Sequence, residues 1–127
     1  HISFSSLTTE ELYQSLTKTQ TAISSVCEIP IDRVWDVRPP NGLFTPKILK
    51  QLKQWNYRVV MWSVVPEDWV SPGISVVVKR VLSQVKNGAL IVLHDGYYGG
   101  EHIAKITDNL IPLLKQKGFQ FISIGQM

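Results

Sequence analysis

The side chains of this chain that can do chemistry cluster at three short stretches. Residues 89–96, ALIVLHDG, run through five aliphatic side chains and then turn abruptly to His94 and Asp95. Residues 62–69, WSVVPEDW, end a second apolar run on Asp68 and Trp69, and residues 38–42, RPPNG, place Arg38 ahead of two prolines. An imidazole titrates near neutrality and suits a general acid or base, although a histidine at a strand end is also an ordinary hydrogen-bonded loop residue. Asp68 in a turn normally caps the backbone that follows it; its functional alternative is a carboxylate that orients His94 and favours its protonated form. Trp69 is either core or the wall of a small apolar pocket that stacks on a sugar. Arg38 either pairs with a surface acid or, with its direction fixed by Pro39-Pro40, binds a carboxylate bidentately. Tyr97 and Tyr98, set between glycines, read as a mobile aromatic flap or a plain exposed loop.

The elements that must position these residues follow from the pattern around them. Thr8-x-x-Glu11 is a capping box, and Leu7 with Leu12 is spaced as a hydrophobic staple. The helix so started runs to about Cys27, with Leu12, Leu16, Ile23 and Cys27 along one stripe. Val34–Val37 reads as a short strand. Thr45-Pro46 is an N-cap followed by proline at the first helical position, and Ile48, Leu49, Leu52 and Trp55 give that helix its buried face. Arg58–Val65 is a longer apolar strand. Ser71-Pro72 caps a third helix that turns Ile74, Val77, Val78, Val81, Leu82 and Val85 inward and stops at Gly88. Ala89–Leu93 is the third strand, and Leu90, Val92 and His94 share one side of it. A last helix is expected from Thr107 or Asp108 to Gly118, with Pro112 tolerable only near its first turn. Phe119–Ile124 completes the series as a strand.

Helices alternating with near-continuous apolar strands predict an α/β fold, a parallel sheet covered on both faces. In such folds chemistry sits where strands end and βα loops begin, which is where RPPNG, PEDW and HDG all fall. The length of 127 residues, with 44% hydrophobic and 18% charged, suits one globular unit and is short for a full α/β barrel. A net charge of +3, scattered along helices, is too weak to imply nucleic-acid binding. Cys27 is the only cysteine, which excludes an internal disulfide and a thiolate metal cage. No run of 18 apolar residues is present, so no transmembrane helix is expected in this stretch. The chain begins at His1 rather than Met, so the lack of a signal peptide carries no information.

Taken in order and spacing, RPPNG, WSVVPEDW and LIVLHDG resemble the last three motifs of the polysaccharide deacetylases, carbohydrate esterases with a NodB-homology domain. His1, Leu7 and Glu10-Glu11 resemble the segment that follows the second histidine of the family's H-[ST]-x-x-H motif. The resemblance implies parallel (β/α) units forming part of a distorted (β/α) barrel, with residues 1–127 as the C-terminal portion of one catalytic domain. It implies metal-dependent removal of N- or O-acetyl groups from a polysaccharide, the metal being zinc or a close relative. By the same resemblance His1 is a metal ligand, His94 the general acid, Asp68 its tuning partner and Arg38 the partner of a catalytic-base aspartate. The Asn41 backbone N–H helps hold the oxyanion, and Trp69 with Val92 lines the acetyl-methyl pocket. Asn41 stands where the family usually has an aromatic residue, Val65 replaces an aspartate, and Val92 a leucine.

The family's T-F-D-D-G motif and its first histidine are absent, and no Asp-Asp pair occurs. No tight metal binding and no deacetylation are therefore expected of this chain alone. Open strand edges at Val34–Val37 and Phe119–Ile124 call for cover by the missing N-terminal part of the domain or by a second copy. The expected substrate is an acetylated polysaccharide or oligosaccharide, and the family resemblance implies an extracytoplasmic setting at the wall, in the periplasm or outside the cell. Two rival readings stand beside this one. One is a non-catalytic descendant binding glycans through Trp62, Trp69, Tyr97 and Tyr98; the other is an unrelated α/β binding module.

Overall fold

A computed structural model of the chain describes residues 2–96 and 100–127. The chain divides into two compact units, His1–Met61 and Trp62–Met127.

In the first unit the capping box forms as the sequence predicts. The Thr8 hydroxyl accepts from the Glu11 backbone N–H at 3.2 Å, while the Glu11 carboxylate accepts from the Thr8 backbone N–H at 2.8 Å. This starts helix α1, Thr9–Cys27. Leu7 and Leu12 join one apolar cluster, as a staple requires. Strand β1 (Asp36–Val37) leads to helix α2 (Pro46–Gln54), whose N-terminus is capped by the Thr45 hydroxyl accepting from the Ile48 N–H at 3.2 Å. Just beyond helix α2, Asn56 sits at φ 61°, with the Asn56 N–H donating to Lys53 O and the Tyr57 N–H to Leu52 O. That pairing closes the last turn, and asparagine is the side chain besides glycine most at ease there. Strand β2 (Arg58–Val59) then lies parallel to β1, with Asp36 opposite Arg58 and Val37 opposite Val59. Leu12, Ile48 and Leu52 form the buried core, with Phe4, Leu16, Val37, Trp55, Tyr57 and Val59 packed on it.

The capping box makes α1 acid-sensitive. The Thr8 backbone N–H, and after it the Thr8 hydroxyl, hold the Glu11 carboxyl below the usual carboxylate range. A carboxyl depressed on folding stabilises the folded state above its ordinary value of about 4.3, and that support is lost as pH falls through the lower folded value. Backbone amides of residues 9–11 are expected to fray over this acid range. In Glu11→Gln, which caps without titrating, the acid step should be missing from the amide NMR shifts of the same residues.

In the second unit, helices α3 (Ile74–Gln84) and α4 (Ile103–Gln116) pack together over Val64, Val78, Val81, Leu110 and Leu114. The residues the sequence turns inward are covered: Val78 and Val81 are in that core, Ile74, Leu82 and Val85 pack on it, and Val77 is buried. Residues 64 and 91 form a parallel bridge, with the Val64 N–H donating to Leu90 O at 3.1 Å and the Val92 N–H to Val64 O at 3.0 Å. Ala89, Ile91 and Leu93 pack on the helix cluster, so Leu90, Val92 and His94 occupy the opposite side of the run. Helix α4 closes with Gly118 at φ 86°, where the Gly118 N–H donates to Lys115 O and the Phe119 N–H to Leu114 O.

Several boundaries differ from the sequence expectation. The strands are far shorter: two-residue pairs replace Val34–Val37 and Arg58–Val65, a single bridge replaces Ala89–Leu93, and Phe119–Ile124 forms no strand. A strand exists only where a neighbour supplies a ladder, and among the described residues nothing pairs with Phe119–Ser123. Helix α3 starts after Gly73 rather than at a Ser71-Pro72 cap, because Ser71 is held left-handed at φ 48°; it ends at Gln84, leaving Gly88 to the turn beyond. Helix α4 begins at Ile103, earlier than Thr107, and Pro112 lies deep inside it. Both Pro112 and Asp108, whose carbonyl loses its helical donor there, are exposed, so water can satisfy the gap. Ile23, Cys27 and Leu49 are exposed rather than part of their helices' buried faces. Among the described residues, no helix is long and apolar enough to cross a membrane.

Candidate active site

The Val64–Ile91 bridge fixes the register of two segments, and three to four residues further on each delivers one half of a paired site. On one segment Pro66 is buried and Glu67 adopts left-handed backbone at φ 57°. Asp68–Val70 then forms a single 3₁₀ turn, and Ser71 is left-handed again at φ 48°. Left-handed backbone costs a non-glycine residue roughly 1–2 kcal/mol, and here two such residues bracket three. The effect is to turn the Asp68 side chain fully inward while Trp69 stays exposed.

The other segment brings His94 onto that carboxylate. Asp68 Oδ2 accepts the His94 backbone N–H at 2.6 Å, and Asp68 Oδ1 lies 2.9 Å from His94 Nδ1. A carboxylate there can only accept, so Nδ1 carries the proton and Nε2 is left to take up or release one. The bidentate grip fixes the backbone of His94 as well as its ring. Its side chain remains 41% exposed. The Trp69 indole meets the imidazole edge to face, with centroids 5.1 Å apart and planes at 77°. Past His94, the Gly100 N–H returns to Gly96 O at 3.0 Å. A Cβ on Gly100 would lie 2.6 Å from the Asp95 carbonyl carbon, so only glycine lets the chain pass that close.

Three of the residues singled out in the sequence, Asp68, Trp69 and His94, are therefore in contact. Val92 is half-buried two residues before His94 and donates its N–H to Val64 O. Arg38 and Asn41 lie in the first unit. Arg38 Nε donates to Val60 O at 3.1 Å, and Asn41 is left-handed at φ 56° directly after Pro39-Pro40. His1, Tyr97 and Tyr98 lie outside the described residues. No three His, Cys, Asp or Glu side chains converge as a metal site among the described residues. Of the potential donors at the pair, Asp68 and His94 Nδ1 are spent on each other, so the described residues do not fit a divalent metal by themselves.

Sequence reasoning missed the second hydrogen bond that Asp68 accepts from His94, and the contacts of Arg80. Arg80 Nη1 donates to the Pro66 carbonyl at 2.9 Å and to Glu67 Oε2 at 3.0 Å. Nothing in a helical arginine sets it apart from a solvated cation, and glutamate carries no signal for left-handed backbone.

No protein-family model matches the chain. A chitooligosaccharide deacetylase of a Bradyrhizobium strain is 30% identical over 128 residues, covering 92% of this chain and 58% of that protein. The solved structure of a peptidoglycan N-acetylglucosamine deacetylase bound to a naphthyl N-hydroxybenzamide superposes with a TM-score of 0.88 at 26% identity, over 100% of this chain and 58% of that one. A CE4-family pseudoenzyme from Bacillus anthracis superposes at 0.80 with 25% identity, over 94% of this chain and 40% of that one. In each case the chain spans less than two thirds of the relative's length. Its α/β fold, parallel units as in part of the distorted (β/α) barrel of such deacetylases, is the one the sequence predicts.

Proposed function

Because chitooligosaccharide and peptidoglycan deacetylases are related to this chain along nearly its whole length, we propose that it is the C-terminal portion of a polysaccharide deacetylase domain. The reaction is hydrolysis of an acetyl group, N- or O-linked, on a polysaccharide or oligosaccharide. The single observation that carries this reading is the bidentate hold of Asp68 on His94, which leaves one imidazole nitrogen for proton transfer. His94 Nε2 delivers the proton to the departing sugar amine or hydroxyl. Asp68 sets the tautomer, and Trp69 and Val92 wall the acetyl methyl. Arg38 pairs with a catalytic-base aspartate from outside this chain, and the Asn41 backbone N–H contributes to an oxyanion hole. The complete domain uses a divalent metal, zinc by preference, with His1 as one ligand and the others from outside this chain.

The rest of the domain, rather than a second copy, is the partner best supported, since these relatives are all longer than the chain. An open groove of about 560 Å³ in the second unit, bordered by Leu90, Ile91, Phe119, Phe121 and Ile122, supports this reading. Phe121 and Ile122 are exposed there. An extracytoplasmic setting follows if the substrate is a wall or secreted polymer. The second reading, a non-catalytic glycan binder, is favoured by the pseudoenzyme among the structural neighbours and by the exposed Trp69 ring.

The test is a deacetylation assay of the complete domain on acetylated chitin oligomers and peptidoglycan, with metal restored after chelation. Turnover is expected, and His94→Ala should lower it by about 10²–10⁴-fold while sparing glycan binding. Unchanged turnover in His94→Ala removes the acid assignment. Binding without turnover in the unaltered domain establishes the second reading.

A further inference from the structure

Glu67 and Ser71 hold left-handed backbone on either side of Asp68, Trp69 and Val70. Such a turn persists only where its surroundings over-determine it. Within the turn the Ser71 N–H donates to Asp68 O at 3.0 Å, and the Val70 N–H reaches Glu67 O at 3.3 Å, a long bond. The Asp68 side chain is tied to His94, and a further tie, on the residues that enter the turn, comes from α3. There Arg80 Nη1 donates to the carbonyl of buried Pro66 at 2.9 Å and to the Glu67 carboxylate at 3.0 Å. Helix α3 is itself anchored by buried Val77, Val78 and Val81, so the guanidinium is presented from a fixed element.

From this geometry we propose that Arg80 is a positioning residue for the Asp68–His94 pair. It fixes the entry to the left-handed turn and so holds the Asp68 carboxylate against both the backbone N–H and Nδ1 of His94. The bond to the Pro66 carbonyl carries the effect. That carbonyl belongs to a buried residue, whereas the Glu67 side chain is largely exposed and its ion pair is screened by water. A guanidinium donating to a buried carbonyl is a charge-assisted bond, stronger than a neutral one. Arg80 acts through Pro66 and Glu67 and touches no reacting atom. Its consequence for catalysis rests on the deacetylase reading, but its effect on His94 does not.

The test uses the chain as it stands. Long-range ¹H–¹⁵N spectra, recorded above the imidazole titration, report which ring nitrogen of His94 is protonated, and amide exchange reports the His94 N–H. Arg80→Ala is expected to raise His94 amide exchange about tenfold or more and to admit the Nε2–H tautomer. Arg80→Lys should recover part of both signals, and Glu67→Gln should change neither. Arg80→Ala with the exchange rate and tautomer of the unaltered chain overturns the proposal, as does an equal effect from Glu67→Gln. Should Arg80→Ala unfold the chain, Arg80→Gln carries the same comparison, faster His94 exchange supporting the brace and unchanged exchange overturning it. Asp68→Asn in the same spectra separates this proposal from the site reading. If Asp68→Asn leaves the tautomer untouched, the Asp68–His94 reading fails; if it changes the tautomer while the Arg80 variants do not, only the brace fails.

Discussion

Asp68→Asn is expected to leave the chain folded and to invert the tautomer of His94. The amide matches the carboxylate in shape but turns one of its two acceptors into a donor. With its oxygen kept on the His94 backbone N–H, now 2.6 Å from Asp68 Oδ2, the new NH₂ group faces Nδ1. Two donors cannot share that contact, so Nδ1 becomes the acceptor and the proton moves to Nε2. Both bonds survive as neutral ones without their charge assistance, a cost to the fold of about 1–2 kcal/mol, and the lower end applies because the His94 ring is partly in water. In a complete deacetylase domain the chemical cost is larger. With Nδ1 held as an acceptor by the amide, the imidazolium that donates from Nε2 loses its partner. A neutral ring giving up its Nε2 proton would become an imidazolate, so a drop of roughly 10²–10⁴-fold in turnover with little change in KM is expected. Nitrogen-15 spectra of the imidazole and steady-state kinetics on the same variant check the two halves. A tautomer that stays on Nδ1, or turnover that does not fall, counts against the role given to Asp68.

Leu114→Ala is expected to be the most damaging apolar truncation in the second unit. Leu114 is 2% exposed and packs with Val64, Val78, Val81 and Leu110, where α3 and α4 meet. Phe119, brought back by the turn at Gly118, packs on the same cluster. Truncation loses the transfer free energy of the side chain and leaves a cavity that two helices pinned by their other contacts cannot close. A loss of about 3–5 kcal/mol is therefore expected. Val64 belongs to the same cluster and pairs with Ile91 through the bridge that registers Asp68 against His94, so loosening here should also reach the site. Leu113→Ala, one position along α4 at a residue 36% exposed, should cost under about 1 kcal/mol. Denaturant titration separates the two, since the midpoint falls in Leu114→Ala with the slope unchanged. Equal midpoints for the two variants would mean that α4 does not bury the face described.

The sequence alone determined what depends on neighbours close in the chain. The Thr8–Glu11 capping box, the Thr45-Pro46 start of α2 and the apolar face of α3 are set by residues within a turn or two of one another. The three stretches that carry Arg38, Asp68 and His94 were legible for a similar reason, as polar residues interrupting apolar runs. Tertiary structure decided what depends on a partner distant in sequence. Strand lengths followed the ladders available rather than the apolar runs, so Phe119–Ile124 has strand composition and no strand. Pro112 sits inside α4 because exposure lets water answer the missing bond, a condition set by which face the rest of the fold covers. Glu67 and Ser71 take left-handed backbone that their side chains disfavour, with Arg80, 13 residues beyond Glu67, tying down the start of that turn. The Asp68–His94 grip, across 26 residues of chain, needed both the Val64–Ile91 register and that strained turn. A local pattern can nominate a carboxylate and an imidazole. Only long-range packing can press one fully buried against the other, because the burial that strengthens the contact is supplied by the rest of the unit.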